Sequence, residues 1–131
     1  MTFIYEEDKS LILNASRIYV SYSGGADSTY ALVKIREYLD GIELSSKLTA
    51  FHFNHGNKQS GAFESHCNDV CNELNINFES RNIKVEVSGE GFEAAARLKR
   101  MNILKSLPEN SLIIQGHHSD DQIETVLFRI I

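Results

Sequence analysis

The chain has 131 residues, 42% of them hydrophobic and 24% charged, with a formal net charge of −5. That length suits one domain with a real core, and no apolar run approaches the length of a membrane span. Two cysteines exclude a disulfide scaffold and point to the cytoplasm, while an acidic balance without a dense basic stripe leaves the grip on any nucleic acid to residues elsewhere.

In chain order, Phe3 to Leu13 is predicted to form a short amphipathic lead-in helix, and Arg17–Ser21 a buried strand. The run Ser23-Gly24-Gly25-Ala26-Asp27-Ser28 follows, opening a helix from about Asp27 to Tyr38 or Leu39 that a left-handed cap at Asp40-Gly41 should stop. Lys47 to Phe53 reads as a second strand, 54–61 as a polar loop, and Ala62 to Leu74 as a helix. A third strand is expected within 78–87. A helix then runs from Phe92 to Leu107, ending at Pro108, and a fourth strand covers 111–116. Ser119 or Asp120 is expected to open a last helix reaching Ile131. This alternation implies an α/β fold: a three-layer, doubly wound parallel sheet with right-handed crossovers. Ligands of such sheets sit beyond the carboxyl ends of the strands, where the polar clusters 23–28, 54–58 and 116–121 all fall.

The glycine run makes a cradle for phosphate. Gly24 and Gly25 admit positive φ and close backbone approach, and the first-turn N–H groups of the following helix face an anion. Asp27 would repel bare phosphate, so its carboxylate makes sense beside a bound Mg²⁺. The alternative is a tight turn in which Asp27 or Ser28 merely caps the helix. No Gly-Lys-Ser/Thr follows, so the run is not a Walker loop; it resembles the PP-loop of ATP pyrophosphatases, which cleave ATP between the α- and β-phosphates. In Gly116-His117-His118-Ser119-Asp120-Asp121-Gln122-Ile123-Glu124-Thr125, a helix would set Asp120 and Asp121 beside Glu124, either to hold a metal or only to complement the helix dipole. Arg97 and Arg100, three residues apart, either project toward the phosphates or form a solvated basic face. Cys67 and Cys71 read as packing residues rather than zinc ligands.

Taken together, Ser23 to Ser28, His52-Phe53-Asn54-His55-Gly56, Glu93-Ala94-Ala95-Ala96-Arg97 with Arg100, and Gly116 to Thr125 resemble the tRNA(Ile)-lysidine synthetase family. The resemblance runs from about residue 16 onward and implies an adenine-nucleotide alpha-hydrolase-like PP-loop domain over 1–131. By that resemblance the C2 oxygen of the wobble cytidine of tRNA(Ile) attacks the α-phosphate of ATP. Pyrophosphate leaves, and the ε-amine of free lysine then displaces AMP. Ser23, Gly24, Gly25, Ala26, Asp27 and Ser28 would bind ATP, and Asp27 and Asp121 would serve Mg²⁺. Arg97 would support adenylation, and His117, Asp121 and Glu124 would line the metal and lysine site. The family continues into appended tRNA-binding regions, whereas this chain stops at Phe128-Arg129-Ile130-Ile131, which implies a natural remnant, a split protein or a shortened chain. A partner chain or a homodimer would then complete it. Two alternatives stand beside this reading: a non-catalytic ATP-binding PP-loop remnant, and a tRNA-thiolating PP-loop enzyme, whose cysteine spacing Cys67 and Cys71 do not match.

Overall fold

The computed structural model describes residues 6–56, 58–83, 91–119 and 122–129; within these, 6–8, 92–93, 115–119 and 122–129 are described by backbone alone. The elements are α1 (Glu6–Asn14), β1 (Arg17–Ser21), α2 (Ala26–Gly41), a 3₁₀ turn (Ser45–Lys47), β2 (Leu48–Asn54), α3 (Ser60–Leu74), β3 (Asn77–Asn82), α4 (Gly91–Lys105), β4 (Ser111–Ser119) and β5 (Gln122–Arg129). The sheet order is β3-β2-β1-β4-β5. The first four strands are parallel and β5 runs antiparallel to β4.

Strand alternation divides the core between the two faces. Ile18 and Val20 of β1, Leu48 and Ala50 of β2, and Leu112 and Ile114 of β4 point to one face. There they pack with Ile12 of α1, with Leu32, Ile35 and Leu39 of α2, and with Cys67 and Cys71 of α3. Tyr19, Phe51 and Ile113 point to the other face and meet Ile103 and Leu104 of α4 and Leu107 just beyond it. On that side Phe51 stands edge-on to Tyr19, with centroids 5.8 Å apart, and to Phe53 at 5.1 Å, the edge-to-face geometry that aromatic rings favour. Helices therefore cover both faces, and the three-layer α/β architecture is as expected. β1 and β4 are apolar on both sides because both sides are buried.

Several joints hold the layers together. Arg36 of α2 donates to the carbonyls of Leu74 (2.6 Å) and Asn75 (3.1 Å), closing the C-terminus of α3, while its Nε binds Asp40 at 3.1 Å. Lys47 Nζ donates to Ala15 O at 2.9 Å just past α1. No helix among the described residues is long and apolar enough to cross a membrane.

Two local expectations are corrected. Gly41 does not supply a left-handed cap; the helix carries through it, and Glu43 takes the positive φ of 61°. Leu44 N–H then reaches Leu39 O (2.9 Å) and Glu43 N–H reaches Asp40 O (3.2 Å), a Schellman closure set by the contact of Leu44 with the core. The second correction concerns the helix expected from Ser119 or Asp120 onward. Residues 122–129 instead form β5, hairpinned onto β4 with Leu112 opposite Arg129 and Ser119 opposite Gln122. Ile123, Thr125, Val126 and Phe128 all favour strand, and the hairpin pairs the backbone groups of β4's outer edge, which a helix would not.

Candidate functional site

The loop between β1 and α2 sits at the carboxyl edge of the sheet. Gly24 has φ +86°, and a Cβ built there would lie 2.9 Å from Cys67 Sγ and 3.3 Å from His66 Cδ2. Glycine is thus required twice, by backbone conformation and by the close approach of α3. Gly25 is the N-cap of α2, with extended φ −74° and ψ 167°.

The hydroxyls around the loop converge on the Gly25 carbonyl. Thr29 Oγ1 donates to it at 2.8 Å, Ser28 Oγ at 3.2 Å, and the Thr29 N–H at 2.9 Å. Since those hydroxyl protons are spent on Gly25, Tyr22 Oη must donate to Thr29 Oγ1 (2.9 Å) and Ser23 Oγ to Ser28 Oγ (3.0 Å). Burial pushes the Tyr22 phenol up from its ordinary value, consistent with a retained donor proton. The N-cap of α2 is Gly25, which has no side chain to cap the helix. The first helical bond is Thr29 to Gly25, so the N–H groups of Ala26, Asp27 and Ser28 have no intrahelical acceptor. Ser28 Oγ also accepts from the Ser23 N–H at 3.3 Å, tying the loop to the first turn of α2.

From the other side, β2 holds the loop's entry. Tyr22 N–H donates to Phe51 O at 2.8 Å, and buried His52 places Nδ1 2.9 Å from Tyr22 O, which fixes Nδ1 as the protonated nitrogen. Cys67 Sγ lies 3.8 Å from the same Nδ1. Asn54 Oδ1 accepts from the Gly56 N–H at 2.8 Å, turning the chain at Gly56, whose φ is +74°. Asn54 Nδ2 in turn reaches Glu64 Oε1 at 3.4 Å, and Ser80 Oγ donates to the same oxygen, holding the Glu64 carboxyl below its ordinary range. A cavity of about 290 Å³ opens beside the loop, lined among others by Ser23, His52, Phe53, His55 and Phe63.

The remaining candidates are distributed around this edge. Asp27 is exposed on the first turn of α2. An exposed carboxylate on the first turn of that helix fits Mg²⁺, which takes one or two carboxylates and completes its shell with phosphate oxygens and water. No group of three or more His, Cys, Asp or Glu able to hold a metal occurs among the described residues. Arg97 is exposed on α4, in the layer opposite α2. Asp120 and Asp121 lie outside the described residues. His117 and Glu124 are brought together, but as opposite residues of the β4–β5 hairpin rather than as loop and helix. β4 continues past Ile114, the partner of Val20, so this hairpin extends beyond β1 on the loop's side of the sheet. Sequence reasoning missed His52 and Cys67 as supports of the loop. His52 shares its strand face with Leu48 and Ala50, and that spacing was the available signal.

An α/β sheet whose first four strands are parallel, and whose first strand runs through a left-handed glycine turn into a helix N-terminus, is the arrangement of nucleotide-binding α/β domains. The PP-loop domain family matches residues 2–131, and the chain belongs to it. It is also similar to proteins named tRNA(Ile)-lysidine synthase. The one from Pseudomonas syringae pv. tomato is 37% identical over 118 residues, covering 89% of this chain and 26% of that protein. The one from Francisella tularensis subsp. tularensis is 35% identical over 133 residues, covering 94% and 32%. The one from Coxiella burnetii is 36% identical over 119 residues, covering 88% and 26%. The chain thus spans between a quarter and a third of the length of these relatives.

Proposed function

We propose that this chain is the ATP-binding catalytic core of a tRNA(Ile)-lysidine synthase-type ligase. The observation that carries the reading is the left-handed Gly24, which leads the chain from β1 into the N-terminus of α2. The first-turn N–H groups of a helix and its dipole at that point suit a polyphosphate. Ser23, Gly24, Gly25, Ala26, Asp27 and Ser28 hold ATP, and the aromatic-lined cavity beside Ser23 suits the base.

In the reaction so proposed, the C2 oxygen of the wobble cytidine of tRNA(Ile) forms a bond to the α-phosphorus while the bond to pyrophosphate breaks. The N–H groups of α2 stabilise the charge that collects on the departing pyrophosphate, and Arg97 adds a guanidinium. The ε-amine of free lysine then attacks C2, AMP leaves, and the amine proton passes to a base; His117, Asp121 and Glu124 are the residues assigned to that step. Mg²⁺, held by Asp27 and Asp121, would neutralise phosphate charge when bound. Residues 1–131 constitute one PP-loop domain of a cytoplasmic enzyme, and the tRNA grip comes from a longer chain, a partner chain or a second copy.

The test is a calorimetric titration with a non-hydrolysable ATP analogue and Mg²⁺, followed by an assay for AMP and pyrophosphate with tRNA(Ile) and lysine. Binding that weakens about ten-fold in Asp27→Asn, the loss of one charge-assisted contact, is expected. No binding by the unaltered chain refutes the reading. The alternative reading is a domain that binds ATP without turnover. It is distinguished by binding without AMP. Thiolation is disfavoured by the thiols: both are buried, and burial pushes Cys67 up and Cys71 up to about 11, away from the reactive thiolate.

A further inference from the structure

Among the described residues the sheet ends at β3, and the outer edge of that strand carries an unusual charge pattern. Ile83 N–H donates inward to Asn54 O at 2.8 Å. By strand alternation the N–H and C=O groups of Asn77, Glu79 and Arg81 also turn toward β2, while those of Phe78, Ser80 and Asn82 turn away from the sheet. The outward carbonyl of Ser80 accepts from Arg81 Nη1 at 3.0 Å, so its partner comes from its own strand. Glu79 Oε2 is buried, accepts no hydrogen bond among the described residues, and lies 3.7 Å from Arg81 Nη2. Charged side chains on an edge strand usually prevent pairing. Here the two charges are opposite and stand symmetrically about Ser80.

We propose that β3 pairs antiparallel with β3 of a second copy of this chain, about a two-fold axis through Ser80. In that register Ser80 meets Ser80, and Phe78 meets Asn82, as hydrogen-bonded pairs. These are the residues whose backbone groups turn outward. Glu79 meets Arg81 of the second copy twice, as non-hydrogen-bonded pairs, where side chains approach most closely. Arg81 leaves the carbonyl of Ser80, which frees it for the new ladder, and pairs across the axis with the half-exposed Glu79 carboxylate. Parallel pairing would instead set Glu79 beside Glu79. On the α3 side of this edge Gly61, Ser65 and Asn68 are small and uncharged and border a groove of about 450 Å³ with Phe78 and Ser80. Its one carboxylate, Glu64, is already held by Ser80 and Asn54. The product is a continuous ten-stranded sheet, two copies of the five-stranded one, with the two nucleotide loops outside the joint.

Sedimentation equilibrium of the 131-residue chain tests this, with Glu79→Arg and Arg81→Glu. A strand joint alone is a small interface, so dimerisation is expected to be measurable below about 1 mM. Each substitution turns two symmetry-related attractions into repulsions and should weaken the dimer about ten-fold or more. An equimolar mixture of the two variants restores complementary pairs and should associate within about three-fold of the unaltered chain, which also certifies that both variants fold. Without any variant, amide exchange at Phe78, Ser80 and Asn82 should slow as the concentration of the unaltered chain rises. An unaltered chain that stays monomeric, a dimer indifferent to the single substitutions, a mixture no better than its components, or exchange independent of concentration each overturns the proposal.

Discussion

A methyl group on Gly24 should separate the two reasons for glycine at that position. Alanine at φ +86° costs about 1–2 kcal/mol in the left-handed region. Its Cβ would also press to within 2.9 Å of Cys67 Sγ. Cys67 is fully buried in the middle of α3 against the main core, so the sulfur has nowhere to retreat. Overpacking of that kind adds about 1–3 kcal/mol. Gly24→Ala should therefore destabilise the fold by about 2–5 kcal/mol and displace the loop. Cys67→Ala deletes the obstructing atom at a cost of about 1 kcal/mol by itself. In the double variant the steric part should vanish, leaving the total about 1–3 kcal/mol below the sum of the single effects. Denaturant unfolding of the four proteins measures the coupling, and titration with an ATP analogue follows the loop. Because the φ penalty remains, nucleotide affinity should stay at least about ten-fold down in both Gly24→Ala backgrounds. Additivity within about 0.5 kcal/mol would refute the close approach of α3 to the loop. Unchanged nucleotide affinity would refute the loop's part in binding.

Three further outcomes follow from the same geometry. The Cys71 thiol ionises near 9.0 when unfolded and at about 11 when folded, so its contribution is full below pH 9 and is lost as pH rises to 11, by roughly 3 kcal/mol; Cys71→Ala should flatten that decline in denaturant midpoints measured from pH 8 to 11. Glu64 behaves oppositely. Ser80 first and Asn54 second hold its carboxyl below the ordinary 4.5, so its stabilisation is present above pH 4.5 and lost as pH falls through the depressed value, and Glu64→Gln should remove that part of the acid sensitivity seen by thermal melting between pH 6 and 3. Phe51→Ala should cost about 3–5 kcal/mol and raise amide exchange in α4 ahead of α2, because Phe51 contacts both Tyr19 and Phe53 in the smaller of the two cores.

Those outcomes depend on contacts of two kinds, and only one kind is legible along the chain. β1 can be read directly, since a short apolar run that ends in a glycine pair and leads into a helical stripe fits little besides a buried strand. The phosphate cradle is legible for the same reason: its geometry is local to Gly24, Gly25 and the start of α2. The support beneath it is not. Cys67 meets Gly24 only because α3 lies across the loop, and no spacing within 60–74 announces that contact. His52 stands out in the sequence as the start of the run His52 to Gly56, but nothing there announces its bond to the Tyr22 carbonyl.

The end of the chain is a different case, because there the local pattern is ambiguous. Ile123, Val126, Leu127, Ile130 and Ile131 fit a helical stripe, yet the same segment carries the β-branched and aromatic residues of a strand. Neither period decides the matter; the outer edge of β4 does, by offering a row of backbone partners. The choice changes the site. A helix would set Glu124 one turn beyond Asp120, whereas the hairpin sets it across from His117. The placement of His117 across from Glu124 therefore follows from which neighbour occupies the edge of β4. Any segment that displaced β5 from that edge would dissolve the His117–Glu124 register while leaving the loop at Gly24 and the first turn of α2 intact.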